Sequence, residues 1–335
     1  MAIDSTALSR PGMVNSAGGD SALYLQVFSG EVLAAFNEKN FVNSLIMKKN
    51  IRGAKSATFP KFGRIPALHH AAGNSIFQDS EGGQFNHAVS SVSVDDLLIA
   101  ATTVDEVESL RNYYEVRAPY MVKIGNSLAS QYDRYALQAA TRAARMDETN
   151  SGNQIPTDMD TLGEGGFVGS LTSTDGASLL GGLFTSQTTL DEKDVPDEDR
   201  FAPLRPATYS LLVQNKDLLN RDYGNEGNGI FFDGIVFVGA GFRLIKTNHI
   251  PSTNVATNPT GARNIYTGDF TALITTVFHR EAIGAVWLIA PAMETPWLPE
   301  YQVYGLIGKM AQGVSATRPE CAVELSTAAT QPVLN

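Results

Sequence analysis

The 335-residue chain is 43% hydrophobic and 18% charged with a net charge of −10, the composition of a folded protein with ample core for one large domain or two to three smaller ones. The acidic balance argues against a protein whose main task is gripping nucleic acid along a broad face, while leaving room for local basic patches. No apolar run is long enough to span a bilayer, the N-terminus lacks a signal peptide's apolar core, and the lone Cys321 excludes an intramolecular disulfide and fits a reducing compartment.

Met1 to Asp20, rich in Ser, Gly and Ala, reads as a flexible arm. Leu25, Phe28, Val32 and Phe36 recur at helical spacing, and Asn40 to Asn50 reads as extended. This leading segment is apolar but too short for a core of its own, so it must lie on something else. Gly53 to Pro60 and His87 to Val94 read as two strands, separated by about 26 residues that include Gly63, Pro66, Gly73, Gly82 and Gly83. Both strands are rich in Ser and Thr, so neither face offers much apolar surface to the body of its own domain. A two-stranded ribbon of this kind is marginal alone, and its free edges invite pairing. The economical reading is an arm stabilised by another subunit, with Lys55, Phe59, Lys61, Phe62, Arg64, Phe77, Asp79 and Glu81 as candidate contact residues. Charge is segregated here: seven basic residues and no acidic one lie between Lys39 and Arg64, and eight acidic residues against Arg111 alone lie from Ile65 to Glu115. The two stretches are either solvated loops or surfaces that meet, within one chain or between copies.

The longest helical signal follows. Val104, Val107, Leu110 and Tyr114 fall on one helical face, Ala118-Pro119 interrupts, and the spacing resumes with Met121, Ile124, Leu128, Tyr132, Tyr135 and Ala139. From Pro119 to about Arg145 this predicts a helix of roughly 26 residues and 40 Å. Lys123, Asn126, Gln131, Asp133 and Arg134 fall on its other face, so it reads as a beam with one stripe to bury.

Met146 to Gly176 reads as loop, Ala177 to Leu190 as helix, and Thr189 to Arg200 as a charged loop. Phe201–Leu204, Gly229–Gly239 and Phe242–Lys246 read as strands, with Pro206–Leu212 as helix and Asn248–Arg263 as a loop. Phe270 to Ala290 is apolar and β-branched, and Tyr301–Met310 and Cys321–Leu325 read as closing strands. Helix and strand mix without a strict βαβ rhythm, so the class is α+β.

A search for chemistry returns little. The phosphate-loop, His-Glu-x-x-His and Gly-x-Ser-x-Gly patterns are absent. Gly239-Ala-Gly241 follows an apolar strand, but Leu244 stands where a dinucleotide fingerprint has its third glycine, so a tight turn between strands is the better reading. His69, His70, Asp79, Glu81 and His87 lack pre-forming metal spacing, and Cys321 reads as a small buried side chain. The acidic loop Asp191–Asp199 lacks the spacing of an EF-hand. No catalytic, cofactor-binding or metal residue is assigned.

The order of parts (arm, ribbon, spine helix, α/β part, returning strands) resembles the major capsid proteins of tailed bacteriophages, the Hong Kong 97-type fold. Specific blocks are similar to the capsid proteins of short-tailed phages of the coliphage T-seven lineage. These are Gly53-Ala-Lys-Ser-Ala-Thr-Phe-Pro-Lys-Phe-Gly-Arg64, Tyr114-Glu-Val-Arg117 leading into Lys123-Ile-Gly-Asn-Ser-Leu-Ala129, Leu190 to Arg200, Leu211 to Tyr223, Gly241 to Pro251, and the ending around Arg318-Pro-Glu320. The resemblance covers roughly residues 20–325. It implies an N-terminal arm at 1–50, an extended loop at 51–103 that overlaps a neighbouring subunit, and a peripheral domain with the spine at 104–147. An axial domain at 148–268, peripheral return strands at 269–312 and a C-terminal segment at 313–335 complete it. It further implies homo-hexamers and homo-pentamers in an icosahedral shell around double-stranded DNA, which is held by weak contacts. The implied partners are a separate scaffolding protein and a portal protein, with a decoration protein left open, no membrane and no cofactor, and with assembly in the bacterial cytoplasm. The arm is too short for a fused scaffolding segment. Lys55 and Lys61 lie in the loop that carries a cross-linking lysine in some relatives, but no partner motif accompanies them. The alternatives are an encapsulin-type shell and a nucleotide-binding enzyme built on Gly239-x-Gly241.

Overall fold

Two mixed sheets share one long helix, and the chain visits both more than once. The computed structural model describes residues 8–9, 41–62, 69, 87–105, 117–146, 164–214, 229–230, 235–236 and 238–332. The expectations for the helix at Ala22–Phe36, for Val107, Leu110 and Tyr114, and for Arg64, Phe77, Asp79 and Glu81 lie outside those residues, and Phe62 is described through its backbone alone.

The arm contributes β1 (Leu8–Ser9) and β2 (Met47–Asn50). Asn40 to Asn50 is extended only in its second half. Val42–Ser44 is a 3-10 turn closed by Leu45 N donating to Val42 O at 2.8 Å, because Val42, Leu45 and Ile46 are apolar enough to be drawn into the core. In the ribbon, β3 (Ser56–Phe62) and β4 (His87–Ser93) pair antiparallel, with Phe59 opposite Ser90 and Lys61 opposite Ala88. Val104, read above as the start of a helical face, lies in β5 (Leu98–Asp105) instead. The run Thr102-Thr103-Val104 is β-branched and prefers extended backbone. Then comes α1 (Arg117–Arg145), 29 residues long, about 43 Å at the usual rise, with Pro119 in its first turn and Arg142 and Arg145 at its negative end.

β6 (Gly166–Val168) precedes α2 (Gly176–Glu192), whose N-cap Asp175 accepts from the amides of Ala177 and Ser178. β7 (Arg200–Leu204) and α3 (Pro206–Gln214) follow. Within Gly229–Gly239, expected as one strand, the described residues form β8 (Gly229–Ile230), β9 (Ile235–Val236) and β10 (Val238–Gly239), and β8 pairs antiparallel with β9. Next are β11 (Phe242–Lys246), β12 (Asn254–Val255), β13 (Gly268–Asp269) and β14 (Leu273–His279). The chain closes with β15 (Ile283–Glu294), β16 (Trp297–Leu298), β17 (Val303–Ala316), a 3-10 turn at Pro319–Cys321 and β18 (Ala322–Ser326).

The first sheet has the order β1-β5-β17-β15-β2, with β16 paired to β17. The second has the order β10-β11-β7-β14-β18-β6. Strand β14, read with the return strands, therefore pairs with β7 and β18 in the second sheet. Helix α1 packs on strands of both sheets. Met121, Ile124, Leu128 and Tyr132 are at most 7% exposed, and Tyr135 stacks on Tyr266 with ring centroids 4.3 Å apart. Gly308 on β17 makes room for them: a Cβ there would lie 2.4 Å from Ile124 Cγ2. The single-stripe reading of this helix needs correction in its second half. Asp133 is fully buried, and Ala136, Ala139, Ala140, Ala143 and Ala144 are too, because small side chains let α1 run between the two sheets.

Candidate inter-subunit surface

A strand turns alternate residues to one side, and in β3 that side carries Ala57, Phe59 and Lys61, all buried. Ala57, Phe59, Val92 and Val94 join Val286 of β15 and Ala311 of β17 in a small apolar cluster separate from the main core. Lys49 donates to the Thr58 carbonyl at 2.7 Å with its ammonium 4.4 Å above the Phe59 ring. Ser90 Oγ donates to Ala316 O at 3.2 Å. Two glycines allow this seat: a Cβ at Gly284 would come 3.0 Å from the Phe59 ring, and one at Gly313 would come 1.8 Å from Ser93 O. The expectation that the ribbon has too little apolar surface for its own domain is thus corrected. Its root has a small but dry one, formed by the alternation Ala57-x-Phe59-x-Lys61. Phe59 and Lys61 are engaged inside their own subunit, whereas Lys55 is exposed beside them.

The ribbon's exit is pinned by one carboxylate. Asp95 Oδ1 accepts from the amides of Arg263 and Asn264 at 2.7 and 2.9 Å and from Asn264 Nδ2 at 2.9 Å, while Tyr266 donates its hydroxyl to Oδ2. Burial, reinforced by that carboxylate, holds the Tyr266 hydroxyl well above the usual tyrosine pKa, so it stays a donor. Asp96 pairs with Arg263 at 3.0 Å on the surface. Two charges of the acidic stretch are therefore used at the base of the ribbon, against the loop at 258–266.

Between the first sheet's edge and the second sheet lies an open cleft of about 540 Å³, lined among others by Lys48, Lys49, Phe59, Glu198, Asp199 and Arg280. Its charges are mixed. The neighbouring acidic loop is organised around a cation of its own: buried Arg200 pairs with Asp191 at 2.7 Å and Asp197 at 3.1 Å and donates to the carbonyls of Val195 and Pro196.

The remaining sequence candidates resolve into structural parts. Gly239 faces Phe242 across a two-residue hairpin in which Ala240 and Gly241 have φ of 50° and 76°, the two positive values that a type I′ turn requires. Cys321 is 3% exposed, and burial pushes its thiol up to about 12, which keeps it un-ionised. Two polar joints escaped the sequence reading. Arg145 at the end of α1 makes a bidentate pair with Glu324 of β18, both contacts 2.6 Å, with both side chains buried. Asp133 Oδ2 lies 3.1 Å from His249 Nδ1, and His249 stacks on Phe41, so one buried carboxylate joins the spine, the root of the arm and the exit of β11. Burial raises the Asp133 carboxyl above the usual range, opposed by His249 and by the amides of Val42 and Phe41. Exposed apolar side chains are left on the first sheet and its tip: Leu97, Ile99, Leu288, Ile289, Trp297 and Tyr301.

Residues 58–326 match the profile of a protein family described as Gp10A-like major capsid protein. The major capsid protein of Escherichia phage T7 is 26% identical over 337 aligned positions, covering 92% of this chain and 93% of that protein. The capsid of the Cyanophage P-SCSP1u superposes with a TM-score of 0.75 at 32% identity, over 96% of this chain and 98% of the other. The mature capsid of bacteriophage PhiM1 superposes with a TM-score of 0.70 at 18% identity, over 96% of this chain and 91% of the other.

Proposed function

We propose, from the premise that this chain belongs to the Gp10A-like major capsid protein family, that its ribbon is the arm through which one subunit engages the next. The protein is a shell-forming structural protein of a T7-like phage, with the Hong Kong 97-type α+β fold, and its place is the virion capsid. The observation that carries the shell role is the match over nearly the whole length to capsid proteins in sequence and in structure together.

The finer reading is a subunit without catalysis, arranged as hexamers and pentamers around double-stranded DNA. A separate scaffolding protein and a portal would assist assembly in the host cytoplasm. Residues 51–103 would form the overlapping loop, and the axial part would extend from about 148 to the end of β14, since that strand pairs with β7. Supporting this are the apolar side chains left exposed on the first sheet at Ile99, Leu288 and Ile289. A net acidic subunit also suits a container whose DNA must slide, because each neutralised phosphate tightens binding through counterion release.

The test is electron microscopy of the purified full chain across a concentration series, with and without a co-expressed scaffolding protein from a related phage. Shells, open sheets or rings of five and six are expected. A monodisperse monomer at high concentration under both conditions would refute the shell role. A steep salt slope for duplex DNA, equivalent to about six or more counterions, would overturn the weak-contact reading.

A further inference from the structure

One side chain stands where the end of β4 would otherwise meet another strand. Val94 N donates to Lys55 O at 2.9 Å, so Ser93, opposite Ser56 in the register, turns its own N–H and C=O away from β3. Asn264 meets both: its Oδ1 accepts from Ser93 N at 3.3 Å, and its Nδ2 donates to Ser93 O at 2.7 Å. Gly313 keeps this space open, since a Cβ there would lie 2.7 Å from Asn264 Nδ2 as well as against Ser93 O. The loop is braced from within, because Asn258 Nδ2 donates to Asn264 O at 2.7 Å and Asn258 Oδ1 accepts from Tyr266 N at 2.8 Å. Tyr266 completes the assembly. Its ring, 1% exposed, stacks on Tyr135 of α1 at an interplanar angle of 20°, and its hydroxyl accepts from Val314 N of β17 at 3.2 Å while donating to Asp95.

We propose that Tyr266 and Asn264 are positioning residues of a clasp that refers the direction of the ribbon to the spine. The stacked ring sets where the Tyr266 hydroxyl lies, and that hydroxyl fixes Asp95, two residues beyond the end of β4. Asn264 holds both backbone groups of Ser93, so the strand resists sliding and rolling alike. The apolar cluster under Phe59 holds the ribbon down but gives it no such direction, because hydrophobic contact is non-directional. A shift of α1 near Tyr135 is therefore passed to the ribbon through one contiguous chain of contacts. The purpose of the clasp rests on the reading of the ribbon as the inter-subunit arm, while its geometry lies within one subunit.

Hydrogen exchange on the unassembled full chain tests it, comparing wild type with Tyr266→Phe, which keeps the ring and loses the hydroxyl, and with Tyr135→Leu, which loses the stack. Tyr266→Phe is expected to speed exchange in β3 and β4 about tenfold and Tyr135→Leu about threefold, with α1 and the second sheet unchanged. Tyr135→Phe, which keeps the stack, should exchange at close to the wild-type rate. The double variant Tyr135→Leu with Tyr266→Phe should be no faster than Tyr266→Phe alone, because the chain of contacts is already cut. Should Tyr266→Phe fail to fold, Asn264→Ala, with the same tenfold expectation, and the pair of Tyr135 variants decide. Unchanged exchange in the ribbon would overturn the clasp, and so would effects that multiply in the double variant or that spread evenly over the whole chain. Shell formation is scored separately. Normal shells with a fast-exchanging ribbon would uphold the clasp and sink the arm reading, whereas lost shells with unchanged exchange would sink the clasp and leave the arm reading standing.

Discussion

The spine and the ribbon lie on opposite faces of the same sheet, and they are held there by different means. On one face, Gly308 opens a seat for Ile124 and Leu128, and the contact continues along α1 into the main core. On the other face, Gly284 and Gly313 open a seat for the ribbon, and the contact ends after a six-residue cluster. The first arrangement contributes stability, and the second chiefly sets geometry. On the proposed reading a shell subunit needs both kinds, a body that folds by itself and an arm whose binding value is left for a neighbour.

The largest effect should come from breaking the spine side. Leu128 is 1% exposed, so Leu128→Asp buries an unpaired charge and should cost about 4 kcal/mol or more. Insoluble or unfolded protein by circular dichroism is the expected result, and a normal melting curve would show that the two faces do not differ as described. Next in size is the polar joint at the far end of the same helix. Glu324→Gln leaves the Arg145 guanidinium buried with half its partner gone, at a cost of about 3 kcal/mol. The variant should fold with a melting temperature several degrees lower, read by calorimetry.

The ribbon side should respond differently. Gly313→Ala places a methyl group 1.8 Å from a backbone carbonyl, that of Ser93. The strand has to move, because backbone cannot rotate away as a long side chain can. The expected cost to the whole subunit is modest, about 1–2 kcal/mol, while shell formation by electron microscopy should be lost. Normal shells from this variant would mean that the ribbon's seat is not what positions it for a neighbour.

What could be read from the sequence divides along the same line. The helical period from Met121 to Ala139 and the alternation of the closing strands locate the body, since burial on one face leaves a period in the chain. The seat of the ribbon was harder to see. Ala57-x-Phe59-x-Lys61 is an alternation in plain sight, yet a lysine in the inward position reads as a solvated residue until Val286 and Ala311, more than two hundred residues away, are brought beneath the strand. Asp133 and Arg145 were missed for the same reason: the partner of a buried charge leaves no periodic mark. Val104 fits a helical spacing as well as its place near the end of β5, so the sequence alone does not decide between them. No local pattern announces that Gly284 and Gly313 face a ribbon and Gly308 a helix.

The smallest predicted effect lies where the two sides approach, in the cleft that His279 lines together with Lys49 and Phe59. His279 ends β14, is 7% exposed, and accepts from the Glu281 amide through Nδ1 at 3.3 Å. Burial lowers its pKa below the usual 6.5, and the positive charges of Arg200 and Arg318 add to the fall, while Glu281 and Asp199 oppose it. The neutral ring is thus the form that the fold prefers. The contribution of His279 to stability is complete above pH 6.5, the unfolded value, and is lost as pH falls below it, because the unfolded chain takes up the proton first. The slope cannot exceed that of one proton, about 1.4 kcal/mol per pH unit. His279→Gln keeps an acceptor but cannot titrate, so the difference in melting temperature between it and wild type should be constant above pH 6.5 and should shift in the variant's favour below that value. A difference that stays flat through the acid range would show that the cleft solvates the imidazolium and that His279 takes no part in joining the ribbon's side to the body.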